Sequence, residues 1–328
     1  MLCRTAGNIY WLSRYIERAE NVARFVDVNQ TLTLGSQGEL TPQWAPLVYT
    51  TGDDAKFAEL YFEGKSQEEV GQSTEYFTEE NVLKFLTIDR RNPNSILSCL
   101  TLARENARGV RDNLPALMWE EINKFYLMVR EAADRPHMLR QPYDFLDEVK
   151  RRSHLIGGVG RSTMSRNEGW HFYSIGRMLE RADKTSRMLD VKYYILLPDP
   201  SDVGTPLDVV QWSALLESTS ALQMYRKRYG RIRPRKVARF LILDREFPRS
   251  MGYCLIRAEQ SIHSITGSPQ GVYCNSAEQL LGRLTAELSY TSVDDVIENG
   301  MHQFIDDFQT RLNQIGEAVE KSFFNVEP

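Results

Sequence analysis

The stretch YWLSRYIERAENVARFVDV (residues 10–28) decides the fold, because much of it is written again as YSIGRMLERADKTSRMLDV (residues 173–191). Eight residue types return at one constant offset, and a carboxylate is kept where Glu20 becomes Asp183. The eight are Tyr10, Arg14, Glu17, Arg18, Ala19, Arg24, Asp27 and Val28, which return as Tyr173, Arg177, Glu180, Arg181, Ala182, Arg187, Asp190 and Val191. Weaker copies follow at 103–112 (ARENARGVRD) and 257–266 (RAEQSIHSIT). Such self-similarity predicts an internal duplication of helical units.

On a helix, the first copy has two faces. Apolar residues recur at the i, i+3, i+4, i+7 spacing of a core-facing stripe, namely Leu12, Tyr15, Ile16, Ala19, Val22, Ala23 and Val26. The opposite face carries Arg14, Glu17, Arg18, Asn21 and Arg24, with Glu20 at its flank. For a single copy a solvated face is the ordinary interpretation, because charged residues are rarely buried. The return of the same charge order equally favours a shared interior or cleft, where arginine forks hold carboxylates or phosphates.

Composition bounds the class of protein. The chain has 328 residues, of which 42% are hydrophobic and 26% charged, as in a soluble globular protein. A net charge of −4 argues against a protein that coats DNA. The four cysteines form no CxxC pair, and Cys99 and Cys254 lie in apolar helical runs, which predicts buried thiols. No leader-like segment or uninterrupted apolar span occurs, so we expect a cytoplasmic protein without membrane helices.

No stretch shows sustained alternation of apolar and polar residues, which would indicate strands. The sequence therefore predicts an all-α fold, a helical bundle built from an internal duplication. Each half would carry two helices of the R-x-E or ARENAR type. We place the boundary near Asn167, with a first helical half at 1–166 and a second at 167–328, together forming one compact unit. Short connections favour antiparallel neighbours in sequence.

Motifs that specify a reaction are missing from the sequence. There is no GxSxG, no Walker-type loop and no GxGxxG. Di-iron helical bundles need two Glu-x-x-His units, and Glu168-x-x-His171 has no partner unit. We therefore expect neither a metal nor a cofactor.

A basic stretch, YRKRYGRIRPRKVAR (residues 225–239), carries eight basic residues with two interleaved tyrosines. Such a pattern can bind the phosphates of nucleic acid or nucleotide. It is more typical of a helix C-terminus, where basic residues complement the helix dipole, followed by a solvated turn. We favour the second interpretation, and nucleic acid is not the expected partner.

Six motifs occur together and in order along essentially the whole chain. They are ERAEN (17–21), NPNSI (92–96), ARENAR (103–108), WE (119–120), ERADKTSR (180–187) and PRS (248–250). Jointly they resemble the bacterial alpha-E family, an all-helical family. Its members are typically encoded beside, or fused to, a circularly permuted ATP-grasp ligase, often with a transglutaminase-like peptidase nearby. The resemblance therefore implies an accessory or partner protein of an amide ligase in bacterial peptide synthesis or modification.

The candidate site is a polar cleft lined by the charged motif residues. Its expected members are Arg14, Glu17, Arg18, Glu20, Asn21, Arg24, Arg104, Glu105, Asn106, Arg108, Glu120, Arg177, Glu180, Arg181, Asp183 and Arg187. The cleft would hold an acidic peptide, a phosphorylated intermediate or the partner itself. One alternative is a stand-alone enzyme whose paired carboxylates act as general acid and base. Another is a helical module that binds nucleic acid or phosphate.

Overall fold

A computed structural model describes residues 1–35, 44–62, 76–135, 138–194 and 205–325. All regular secondary structure in these ranges is helical, which confirms the predicted all-α class. None of the helices described there combines the length and the apolar character needed to cross a bilayer.

The described ranges contain fifteen α-helices, numbered here in chain order. The first seven are α1 (Cys3–Gly35), α2 (Ala45–Thr51), α3 (Asp54–Tyr61), α4 (Glu79–Thr87), α5 (Ile96–Gly109), α6 (Ala116–Ala133) and α7 (Tyr143–Thr163). The next eight are α8 (Glu168–Tyr194), α9 (Pro206–Ser218), α10 (Leu222–Tyr229), α11 (Pro234–Leu243), α12 (Met251–Thr266), α13 (Ser276–Tyr290), α14 (Val293–Glu298) and α15 (Met301–Val319). A 3₁₀ turn follows α5 at Arg111–Asn113, and a π-helical turn extends α15 over Glu320–Phe324.

The two strongest copies of the repeat, α1 and α8, pack against each other at the centre of the molecule. Side chains that hydrogen bond between them are 160 to 166 residues apart at every such contact, so the two helices run parallel. They come close together at Gly176. A Cβ atom there would lie 2.4 Å from both the Tyr10 carbonyl oxygen and the Ser13 hydroxyl. Glycine is therefore required at this crossing.

The remaining long helices surround this pair in the same order on both sides. Helices α5 and α7 pack on α1, with α6 between them, and α12 and α15 pack on α8, with α13 between them. The short helices cross over, since α2 packs on α8 and α9 packs on α1. The internal duplication and the two predicted halves remain predictions, because a shared packing order describes an arrangement and not its origin.

Two serines begin the helices that flank the central pair. The Ser95 side chain accepts a hydrogen bond from the Ser98 amide at the start of α5, and Ser250 accepts one from the Tyr253 amide at the start of α12. Within NPNSI, the Asn92 side chain donates to the Phe85 carbonyl and accepts from the Asn94 amide. Asn92 thus closes a turn, as asparagine commonly does.

The core confirms the prediction of buried thiols. Cys99 and Cys254 are both fully buried. Burial raises the pKa of each thiol to about 12, so both stay protonated at neutral pH.

The crossing at Gly176 gives a test of the packing. Gly176→Ala should destabilise the protein by about 1–3 kcal/mol, because the new methyl group must displace backbone at the centre of the fold. Gly158→Ala is the matched control, since that glycine is exposed in α7 and has open space around it. The control should be more stable than wild type by about 0.5–1 kcal/mol, because alanine is a better helix former than glycine. Urea denaturation of both variants measures the difference, and equal stabilities would contradict the close crossing.

Candidate functional site

The charged face shared by α1 and α8 lies inside the molecule. Glu17 is 1% exposed and Glu180 is fully buried, although the apolar stripe of each helix is also in the core. The solvated interpretation of this face is therefore wrong. Both helices are buried around most of their circumference, so their acids and bases must satisfy one another.

Glu17 is held by cations from the other half of the chain. Arg181 binds Glu17 bidentately, donating from Nε to Oε1 at 2.7 Å and from Nη2 to Oε2 at 2.8 Å. Arg177 adds a bond to Oε2 at 3.1 Å, and Arg249 adds one to Oε1 at 3.2 Å. Asn21, on the same helix as Glu17, donates to Oε1 at 3.2 Å. Both carboxylate oxygens are fully occupied.

Glu180 is held in the same way from the opposite direction. Arg18 donates from Nε to Oε1 at 2.7 Å and from Nη2 to Oε2 at 3.1 Å, and Arg14 donates to Oε2 at 2.8 Å. Lys184 lies 3.6 Å from Oε1. In each Glu-Arg dipeptide, the glutamate thus binds the arginine of the other dipeptide, and the arginine binds the other dipeptide's glutamate. We call the four residues Glu17, Arg18, Glu180 and Arg181 the reciprocal clasp.

A second carboxylate flanks the clasp on each helix, one turn further along. Arg24 binds Glu20 with Nε at 3.0 Å and Nη2 at 2.8 Å, and Arg249 also donates to it. On α8, Asp183 accepts from Arg187 at 3.0 Å and from Lys184 at 2.9 Å. The recurrence of a carboxylate at this position therefore has a structural counterpart.

Positive charge exceeds negative charge in this network. The four carboxylates of Glu17, Glu20, Glu180 and Asp183 form ion pairs with Arg14, Arg18, Arg24, Arg177, Arg181, Lys184, Arg187 and Arg249. Burial alone would raise the pKa of the Glu17 carboxyl, but the charges of Arg181 and Arg249 and the hydrogen bond from Arg181 together outweigh burial and lower that pKa to about 2. Burial and the neighbouring Arg24 and Arg181 charges lower the pKa of Arg249 to about 10. All four carboxylates stay ionised at neutral pH.

Two glycines make room for the arginines. A Cβ atom at Gly157 would lie 2.8 Å from Nη1 of Arg177, and one at Gly52 would lie 2.8 Å from Nη1 of Arg187. Helix α7 runs without interruption through the glycine cluster at 157–160. Gly157 is there because a guanidinium occupies the space of its side chain.

Eleven of the sixteen predicted site residues come together in the network. They are Arg14, Glu17, Arg18, Glu20, Asn21, Arg24, Arg177, Glu180, Arg181, Asp183 and Arg187. Sequence reasoning left out Arg249 and Lys184, which also belong to it, and His154, whose Nε2 lies 3.2 Å from Oε1 of Glu20. The available signal was position, because Arg249 lies in the PRS motif immediately before the capping Ser250, and Lys184 lies inside ERADKTSR.

The other five predicted residues lie on the outside of α5 and α6, which corrects the single cleft. They are Arg104, Glu105, Asn106, Arg108 and Glu120. Helix α5 turns Ala103 and Ala107 into the core, so the charges between them face outward. There Glu105 pairs with Arg104 at 3.1 Å and with Arg108 at 2.5 Å.

The geometry limits the chemistry of the clasp. An acid/base pair needs a carboxyl group that can exchange a proton near neutral pH and reach a substrate. Glu17 and Glu180 are buried, locked bidentately by arginines and strongly acidic, so the paired-carboxylate alternative loses its two leading residues. Among the residues with described positions, no cluster of three or more His, Cys, Asp or Glu side chains could hold a metal ion.

Removing one acid of the clasp should cost much of the stability. We expect Glu17→Gln to destabilise the protein by about 3–5 kcal/mol at pH 7, because Arg181 is left buried without its partner charge. The folded-state pKa of Glu17 lies below its ordinary value of 4.5, so its contribution is present above pH 4.5 and is lost as the pH falls towards about 2. Denaturant unfolding from pH 7 to 2.5 should therefore show a shallower loss of stability in the variant.

The control is Glu59→Gln, which removes the acid of an exposed pair with Lys56. Its effect should stay below about 0.5 kcal/mol. A Glu17→Gln variant as stable as this control would contradict the assignment of the clasp as a buried ion pair.

Comparison with known proteins places the chain in a family. Residues 1–324 match the family Alpha-E, described as a predicted alpha-helical domain with a conserved ER motif. Glu17-Arg18 and Glu180-Arg181 are such dipeptides, and they are the two halves of the reciprocal clasp. No solved structure matches the chain.

Similar proteins occur in mycobacteria. Three uncharacterized proteins, one from Mycobacterium bovis and two from strains of Mycobacterium tuberculosis, are each 25% identical over 285 residues. The alignments cover 81% of this chain and 30% of each relative, so the chain spans less than a third of the relatives' length. By its match over nearly all of its residues, the chain belongs to the Alpha-E family.

Proposed function

We propose that the chain is an accessory partner of an ATP-grasp-type amide ligase in a cytoplasmic peptide synthesis or modification system. One observation carries this proposal: the charged motif residues form ion pairs with one another in the reciprocal clasp, and both glutamates are buried. A network of this kind holds two sets of helices in one register. It favours a rigid binding module over a catalyst that works through these carboxylates.

The size of the mycobacterial relatives supports a role within a larger assembly. Those proteins carry the matching region in 30% of their length, together with a longer stretch of other sequence. A region that recurs inside longer chains can serve a partner that is joined to it.

The chemistry of the assembly comes from the family resemblance. The neighbouring circularly permuted ATP-grasp ligase would form the amide bond at the expense of ATP, and this chain would hold the ligase, its acidic peptide or its phosphorylated intermediate. A transglutaminase-like peptidase would be a second partner, acting on the same class of peptide.

Co-expression with the neighbouring ATP-grasp protein tests the proposal. We expect the two chains to co-elute in size-exclusion chromatography and the ligase's ATP turnover to change when this chain is added. Independent elution together with unchanged turnover would contradict the proposal and direct attention to a separate activity.

Substitution in the clasp separates a scaffold from a catalytic site. Glu17→Gln combined with Glu180→Gln should lose folding and ligase binding together, because each change leaves a buried arginine unpaired. Circular dichroism and co-elution measure the two losses, with Glu59→Gln as the control for an exposed acid. A double variant that folds and binds the ligase but no longer alters turnover would show instead that these carboxylates act in the chemistry.

A further inference from the structure

The hairpin formed by α10 and α11 (residues 222–243), which we call the basic hairpin, is the most strongly charged exposed segment of the described chain. We propose that it is the docking surface for an acidic polypeptide segment of the partner protein. This inference rests on the proposed function and names the surface and the chemistry of the contact.

The charge on the basic hairpin is not balanced locally. It carries Arg226, Lys227, Arg228, Arg231, Arg233, Arg235, Lys236 and Arg239 and no acidic residue, in a chain whose net charge is −4. Five of these side chains are exposed and form no ion pair with any residue that the structure describes, namely Arg226, Lys227, Arg231, Arg233 and Arg239. A helix dipole accounts for cations in the last turn of α10, but not for those that follow it in the turn and in α11.

Nearby carboxylates are already committed. Asp244 pairs with Arg228 and also accepts hydrogen bonds from the Glu246 and Phe247 amides at 2.9 and 2.8 Å. Asp294 pairs with Arg235. These contacts neutralise two of the eight cations, and Lys236 is partly buried over the Tyr229 ring. The other five face solvent, where an external anion can reach them.

The turn that displays the charges is fixed from beneath. The Tyr225 hydroxyl donates to the Arg231 carbonyl at 3.3 Å and accepts from the Arg233 amide at 3.1 Å, and the tyrosine is fully buried. Gly230, with φ of +70°, allows the chain to reverse at the end of α10. The like charges are therefore held close together before any ligand arrives, which reduces the entropy lost on binding.

A groove of about 550 Å³ runs beside the hairpin. Arg228, Arg239 and Arg245 contribute cations to its lining, and Asp244, Glu246 and Asp294 contribute acids. Because the groove is balanced in charge, the acidic segment is placed on the unpaired exposed cations of the basic hairpin and not in this groove. Arginine forks suit the carboxylates of such a segment.

The tyrosines disfavour nucleic acid as the occupant. Single-stranded nucleic acid is bound where aromatic rings offer a free face to the bases. Tyr225 is buried, and the Tyr229 ring already has the Arg228 guanidinium at 5.8 Å and the Lys236 ammonium at 5.5 Å from its centre. The surface therefore offers charge without a stacking platform.

A binding assay with a fluorescent twelve-residue oligoglutamate peptide tests the inference on the full-length chain. The test variant is Arg226→Glu with Lys227→Glu, Arg231→Glu and Arg233→Glu. Its binding should be at least about tenfold weaker than wild type, and wild-type binding should weaken as salt is added. A version with glutamine at the same four positions serves if charge reversal impairs folding, which circular dichroism checks.

The matched control reverses four exposed arginines outside the hairpin, namely Arg90, Arg140, Arg161 and Arg283. It makes the same change in net charge and should keep wild-type affinity. Equal losses in both variants, or no binding of the peptide by the wild type, would overturn the inference. Tighter binding of a single-stranded oligonucleotide of equal charge would overturn it too, in favour of nucleic acid.

The ligase distinguishes this inference from the proposed function. If the ligase binds the wild type but not the hairpin variant, both stand. If it binds both equally well, the proposed partnership stands and the docking surface is overturned. If it binds neither while the peptide still requires the four residues, the hairpin is supported as an acidic-segment site and the partnership with this ligase fails.

Discussion

The reciprocal clasp, in which two parallel helices each bind the other's glutamate with an arginine, is the interaction on which the rest of this structure depends. Taking Glu17 and Arg181 out of water costs several kcal/mol per ion, and only a bidentate contact with further hydrogen bonds can repay it. Glu180 and Arg18 make the same contact in the opposite direction. The desolvation of both ion pairs is therefore compensated in one relative position of α1 and α8. The clasp therefore contributes more to specificity of register than to net stability.

That register determines the surrounding architecture. The backbones approach at Gly176, the guanidinium of Arg177 fills the space above Gly157, and Arg249 enters from the start of α12. The contacts of Gly157 and Arg249 bring α7 and α12 against the central pair. A shift of either central helix would separate ion pairs and create steric overlap at once, so the packing and the charges specify the same arrangement.

Much of the fold and part of the site could be predicted from the sequence. The repeat identifies α1 and α8, and the matching charge order identifies Glu17 and Glu180 as special. Periodicity could not decide whether those charges face water, because burial depends on what packs opposite. The charged residues of ARENAR were wrongly placed in the cleft for the same reason. Their neighbours Ala103 and Ala107 face the core, so the charged side chains face outward. Arg249 was missed because its partner lies 232 residues away in the chain.

The small residues at the crossing of α1 and α8 have a consequence for assembly. Ser13 and Gly176 occupy the same place in the repeat, and the crossing needs a glycine on one side and accepts a serine on the other. Two copies of α1 from different chains would bring serine against serine, and two copies of α8 would leave a gap. The difference between the copies thus disfavours pairing of like helices from different molecules, which a perfectly symmetric repeat would allow.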